Sequence, residues 1–459
     1  MNKARTSDFP DDFFDPPQER PPWWPDEPVL RRALDWFKTK IPEQRWRKRR
    51  LAAAERLYRA TLRDLAPGDR GRLFDAADTM GWYLFTAEAS LDHIQNYDFA
   101  WGSRVIPVFL AIGRDLDHLK AVAGIEDRLA RLMNGEKGQP NGALFEMLVA
   151  IAYRKRGATV SFVPETPGRG RTYDLLVEME GLTFAVECKR MEVGDYGEAE
   201  RDIMRQRWGP LAVTFAEFGR SIFADLHFYV PLADIPEDYL RARAIAYRLG
   251  GERGETWDDA IGRGVIRPLD LTPLAEALKT TLVAASSTRL VELLTGDYVR
   301  NGAYSTILHT TSGENPRYVE GCDLAVVMRW ATDAPAAIDA KARDIRRKLF
   351  EANDQLADDI PGVIHIGWEA VEGDSVEAAR NAKILETAAQ FDPRGKPLEF
   401  VYCHYLVPEV PPDESWAFDE TTQWLPIRPH RLTPIADLFL ITPPDAQTRH
   451  GGHWTASKR

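Results

Sequence analysis

Three side chains in the stretch YDLLVEMEGLTFAVECKR, residues 173–190, are placed to do chemistry: Asp174, Glu187 and Lys189. The runs on either side of Glu180-Gly181 are rich in strand formers, and the pair itself suits a two-residue hairpin turn. With Met179 facing Leu182, paired positions sum to a constant and Asp174 falls opposite Glu187. Like charges directly opposed across a ladder are destabilising. Alternation puts Phe184, Val186 and Cys188 on one face and Ala185, Glu187 and Lys189 on the other. Two carboxylates and one ammonium thus converge beside the small Ala185. The plainer reading is a solvent-facing hairpin end with a Glu–Lys pair. The sharper one is a divalent-cation site, because hard cations take one or two carboxylates plus waters and substrate phosphates. A cation would relieve the repulsion, and Lys189 would orient water or stabilise charge on a phosphate.

The elements that must position these groups surround the hairpin. GALFEMLVAIAYRKRG, 142–157, reads as a helix with a glycine stop, apolar almost all round. Glu146 interrupts it, either as a favourable charge at a helix start or as a third carboxylate aimed at the same site. ATVSFVP follows as a strand. ETPGRGRT is a basic loop leading to Asp174, and a helix is expected around 197–208.

This order of a helix with Glu, a strand, a strand opening on Asp and a strand closing on Glu-x-Lys resembles the PD-(D/E)xK nuclease superfamily. The resemblance covers about residues 138–230, with YD in place of PD. It implies a restriction-endonuclease-like αβββαβ core and hydrolysis of phosphodiester bonds dependent on Mg²⁺ or Mn²⁺. It assigns Asp174 and Glu187, with the backbone carbonyl of Cys188, as metal ligands, and Lys189 as the residue that positions water. Glu146 would meet a second metal or a metal-bound water. Arg169, Arg171, Arg190, Arg201 and Arg205 are the expected phosphate contacts. Nucleic acid, DNA first, is the implied partner, in restriction, phage defence or repair. A silent nucleic-acid-binding module of the same fold, an RNA-directed nuclease and a structural subunit of a defence assembly remain alternatives. A homodimer or a partner subunit is left open.

The rest of the chain frames this core as an α/β protein. Residues 1–27 are acidic and Pro-rich and are expected to be a disordered arm. Residues 28–135 carry apolar positions at helical spacing, and NGEKGQPNG, 134–142, is the best boundary. The nuclease-like domain is expected over 138–410, with SIFADLHFYVPL as its fourth strand and an insertion over about 236–330. The last third alternates helix, strand, helix, strand, which implies parallel strands with crossover helices as an α/β extension. His365 and His404 lie on apolar strands and are expected to be satisfied core histidines. Residues 411–459 are expected to be an irregular tail.

Composition limits the function classes. Among 459 residues the net charge is −11, which argues against a nonspecific nucleic-acid coat but allows a local basic groove. No apolar run is long enough to span a bilayer, so no membrane role is expected. Cys188, Cys322 and Cys403 are far apart and read as buried free thiols in a cytoplasmic protein.

Overall fold

Helical periodicity in the amino-terminal third becomes a layer of helices, α1 (Pro28–Lys38), α2 (Glu43–Thr61), α3 (Thr79–Asp92), α4 (Phe99–Arg114), α5 (Leu116–Lys120) and α6 (Ile125–Asn134). The computed structural model describes residues 13–15, 27–61, 76–134, 140–164, 172–192, 194–285, 287–311, 317–428 and 431–455. The arm expected over 1–27 therefore lies almost wholly outside the described residues, as does the loop with Arg169 and Arg171. Asp78 and Asp98 cap α3 and α4 by accepting bonds from Gly81 N–H and Trp101 N–H, which satisfies donors that a helix start leaves open.

The helical layer shares its core with the next elements, α7 (Pro140–Arg154), β1 (Thr159–Phe162), β2 (Leu175–Met179) and β3 (Leu182–Met191). The β2–β3 turn has positive φ at both Glu180 (53°) and Gly181 (79°), the geometry of a tight primed turn. It fixes the expected register, with Met179 opposite Leu182 and Leu175 opposite Val186.

Beyond β3 the chain leaves this sheet. α8 (Asp195–Glu217) leads into β4 (Ile222–Phe228), α9 (Tyr239–Leu249), β5 (Glu255–Asp258), β6 (Gly262–Pro268) and α10 (Thr272–Ala277). Then come β7 (Val283–Ala284), α11 (Thr288–Thr295), β8 (Ala303–Thr311), β9 (Tyr318–Val319) and β10 (Gly321–Thr332). Five of these strands make a second sheet in the order β5-β6-β4-β10-β8. β4, expected as the fourth strand of the nuclease-like sheet, is the centre of the second sheet instead. It pairs with β6 on one side and with β10 on the other. The insertion accordingly starts at α8 rather than near 236.

The chain returns through α12 (Pro335–Lys341) and α13 (Arg346–Asn353) to β11 (Gly362–Glu369), then α14 (Asp374–Gln390), β12 (Leu398–Glu409) and β13 (Ala417–Pro426). The main sheet runs β1-β2-β3-β11-β12-β13. β11 lies parallel to β3 and to β12, as the helix–strand alternation requires, so the last third extends the main sheet. The expectation of an irregular tail from 411 is corrected: β13 pairs antiparallel with β12 along its length. Further on, His453 is buried and its ring meets Tyr405.

The mixed α/β sheet is held by polar as well as apolar packing. Tyr153 Oη meets His365 Nε2 at 3.0 Å, His365 Nδ1 meets His404 Nε2 at 3.0 Å, and His404 Nδ1 meets Thr422 Oγ1 at 3.2 Å. Both histidines are fully buried, and burial holds both rings below the usual imidazole range. They are satisfied core groups, as expected. All three cysteines are free thiols. Cys188 and Cys403 are buried, whereas Cys322 is only half-buried.

Candidate functional site

Strand alternation and the turn register together build the site. Phe184, Val186 and Cys188 join the core under α7, while Ala185 packs on the opposite face with Ile364, Ile366 and the α13 residue Leu349. Glu187 and Lys189 share the Ala185 face. Asp174 stands just before β2 and is tied down by its main chain. Its N–H donates to Val186 O at 3.1 Å, and its own carbonyl accepts from Val163 N–H at 2.9 Å. Its Oδ2 accepts the Cys188 N–H at 2.8 Å, so the carboxyl is pinned where β3 runs on past the end of β2. In an extended strand a residue's amide and carbonyl face the same neighbouring strand. The Cys188 carbonyl thus faces the Asp174 side.

Glu187 is fully buried and its Oε1 accepts from Lys189 Nζ, whose side chain is 17% exposed. Its Oε2 is buried and receives no hydrogen bond, and the carboxyl beside Glu187 is that of Asp174. Such an orphaned carboxylate oxygen is expensive. Burial, and next the Asp174 charge, pushes the Glu187 carboxyl up to about 8, against the pull of Lys189. Burial also raises Asp174, opposed by the Cys188 amide and by the charges of Lys189 and Arg128. The charges of Lys189 and Arg128 do not offset the burial of the pair. Two carboxylates, one of them with an oxygen that receives no hydrogen bond, and a carbonyl make a donor set that fits a hard divalent cation. Among the described residues no group of three or more His, Cys, Asp or Glu side chains is spaced to hold a metal ion. A cation here would therefore rest on Asp174, Glu187 and main chain.

Glu146 is buried on α7 and ion-paired with Arg128 of α6. Sequence reasoning missed Arg128. It follows Ile125 and precedes Leu129 and Met133, the buried stripe of α6, and reads as an ordinary charge beside that stripe. The signal lay in Glu146 itself, since a carboxylate on an all-apolar helix requires a cation.

The expected phosphate contacts fare differently. Arg190 is nine-tenths buried, bonded to Glu369 at 3.3 Å, and shares that carboxylate with Arg104 at 3.4 Å. It lines a small pocket with Tyr83 and Phe145. Arg201 pairs with Glu198 at 2.6 Å and approaches Glu372 at 3.8 Å, while Arg205 pairs with Asp202. Both stand on α8, which packs on the second sheet. Arg201 lines a cleft of about 500 Å³ that also holds the Glu200–Lys341 pair. Asp174, Glu187 and Lys189 do not line that cleft. Arg347 and Lys348 stand on α13, the helix that packs on β3. Their neighbour Glu351 is held below its usual range by Lys348 first, and further by Arg347 and Lys189.

Comparison with known proteins finds no matching family model, no matching curated protein and no matching solved structure. Among the described residues no helix is long and apolar enough to cross a membrane.

Proposed function

We propose that the protein is a metal-dependent phosphodiester hydrolase of restriction-endonuclease-like fold, acting on nucleic acid and on DNA in the first instance. The observation that carries this reading is the meeting of Asp174, Glu187 and Lys189 at the hairpin end, with Glu187 Oε2 buried and unbonded. The order α7-β1-β2-β3, then α13 and β11 parallel to β3, supports it. Asp174, Glu187 and the Cys188 carbonyl would hold Mg²⁺ or Mn²⁺, which when bound supplies a polarised water and neutralises phosphate charge. Lys189, released from Glu187 once that carboxylate has another partner, would orient the attacking water and stabilise the phosphate. Restriction, phage defence and repair are the settings this chemistry suits.

One observation favours a second reading, a silent binding or structural module of the same fold. Glu187 is fully buried on the face that α13 covers, and its Oε1 already has Lys189 Nζ as a partner. Incubation of the purified protein with double- and single-stranded DNA and with RNA, in Mg²⁺, Mn²⁺ or EDTA, separates the two. The hydrolase reading expects cleavage with metal and none in EDTA. It also expects Lys189→Ala to abolish cleavage while largely retaining affinity, one lysine being a small share of the phosphate contacts. Absence of cleavage on every substrate with either metal would leave the silent module.

A further inference from the structure

Arg128 joins the helical layer to the candidate site. Its side chain is 15% exposed, its guanidinium is ion-paired with Glu146, and it lies 5.9 Å from the ring centroid of Phe162. Phe162 ends β1 and pairs with Leu175, the residue after Asp174. The next residue of the chain, Val163, donates its N–H to the Asp174 carbonyl. Arg128 is therefore seated at the β1–β2 corner from which Asp174 projects, and its charge acts on both Asp174 and Cys188. A guanidinium is charged at every working pH and presents a fixed fork of donors.

Glu146 could serve a second metal ion only if its carboxylate were free to leave Arg128. A two-metal site requires carboxylates enough to hold both ions about 4 Å apart. Among the described residues the acids do not gather in that way. A buried ion pair is strongly destabilised when one partner is withdrawn, so Glu146 is committed to the arginine.

We infer that Arg128 stands where a second cation would otherwise act, so that the site takes a single divalent ion and Glu146 is a positioning residue for Arg128 rather than a metal ligand. The inference rests on the hydrolase reading of Asp174 and Glu187. It gives α6 a part in the site: the helical layer delivers a positive charge beside the metal ligand Asp174.

The test is a count of bound Mn²⁺ by electron paramagnetic resonance and by titration calorimetry, in the absence of nucleic acid. The wild-type chain is expected to bind one Mn²⁺. Glu146→Gln, which keeps the side chain's shape, is expected to bind one Mn²⁺ with little change in affinity. Arg128→Met, which frees the Glu146 carboxylate, is expected to gain a second, weaker Mn²⁺ that disappears again in Arg128→Met/Glu146→Gln. Two ions in the wild type overturn the inference while leaving the hydrolase reading intact. So does a loss of about tenfold or more in affinity for Glu146→Gln, the effect of removing a supporting group from a metal site. A folded Arg128→Met chain that still binds one ion also overturns it. No bound ion in the wild type removes the Asp174–Glu187 metal site itself, and the inference with it. Should Arg128→Met fail to fold, the wild-type count and Glu146→Gln decide.

Discussion

Glu187 carries the heaviest electrostatic load in the candidate site. In the metal-free chain its carboxyl is pushed up to about 8 by burial and by Asp174, while the unfolded chain releases that proton at the ordinary value of 4.5. Between those values the folded state holds more proton than the unfolded one, so stability falls as pH rises. The stabilisation from the protonated group is fully present below the lower value and lost through the higher. Asp174 shifts in the same direction. Metal binding expels the proton and is favoured at high pH. Melting of the EDTA-treated protein is therefore expected to fall in temperature from about pH 5 to about pH 8, with Mn²⁺ raising it most at the upper end. In Glu187→Gln the slope should flatten and the Mn²⁺ effect vanish. A Glu187→Gln protein with the wild-type slope and the wild-type response to Mn²⁺ would show that this carboxyl is not the titrating group.

At the scale of the element, the seating of α7 on the sheet decides where Glu146 points. Gly367 of β11 makes room for that helix: a Cβ there would lie 2.5 Å from the ring of Phe145, the residue before Glu146. Gly367→Ala is expected to cost about 1–3 kcal/mol, the usual range for overpacking a closed core. Phe145→Leu in the same chain should restore part of the loss, and urea unfolding of the two variants measures both. An unchanged midpoint for Gly367→Ala would mean that α7 can shift freely and that Glu146 is not rigidly held. The hairpin is an element the sequence spells out, because Glu-Gly sets the turn and alternation of two sets the faces. α6 is one it does not, because Arg128 borders a stripe whose burial says nothing about what the neighbouring charge meets.

At the scale of the whole molecule, two sheets have separate cores. Met204, Trp208 and Phe215 of α8 pack with β4 and β10, whereas β11 and β12 pack with α13 and α14. Cores that share few residues can open separately. Trp208 is almost fully buried, and Trp208→Ala is expected to lose about 3–5 kcal/mol of local stability. Hydrogen exchange read by mass spectrometry should show β4 and β10 losing protection while β3, β11 and β12 keep theirs. An equal loss in both sheets would mean one cooperative unit.

The sequence by itself determined the opposition of Asp174 and Glu187, the face shared by Glu187 and Lys189, the helical layer, and the parallel strands of the last third. Each depends on local order: turn chemistry, a period of two, a period of 3.6, and helices alternating with strands. Tertiary structure alone decided which strand completes the first sheet. β4 and β11 are both short, apolar and flanked by helices, and nothing local distinguishes SIFADLHF from GVIHIGWE as a partner for β3. β11 lies beside β3, its Ile364 opposite Glu187 and its Ile366 opposite Lys189. Tertiary packing likewise brought Arg128 to Glu146, buried Arg190 against Glu369, and drew β13 from a Pro-rich tail onto β12. A charge's partner and a strand's neighbour are set by the packing of distant segments, and periodicity carries no record of them.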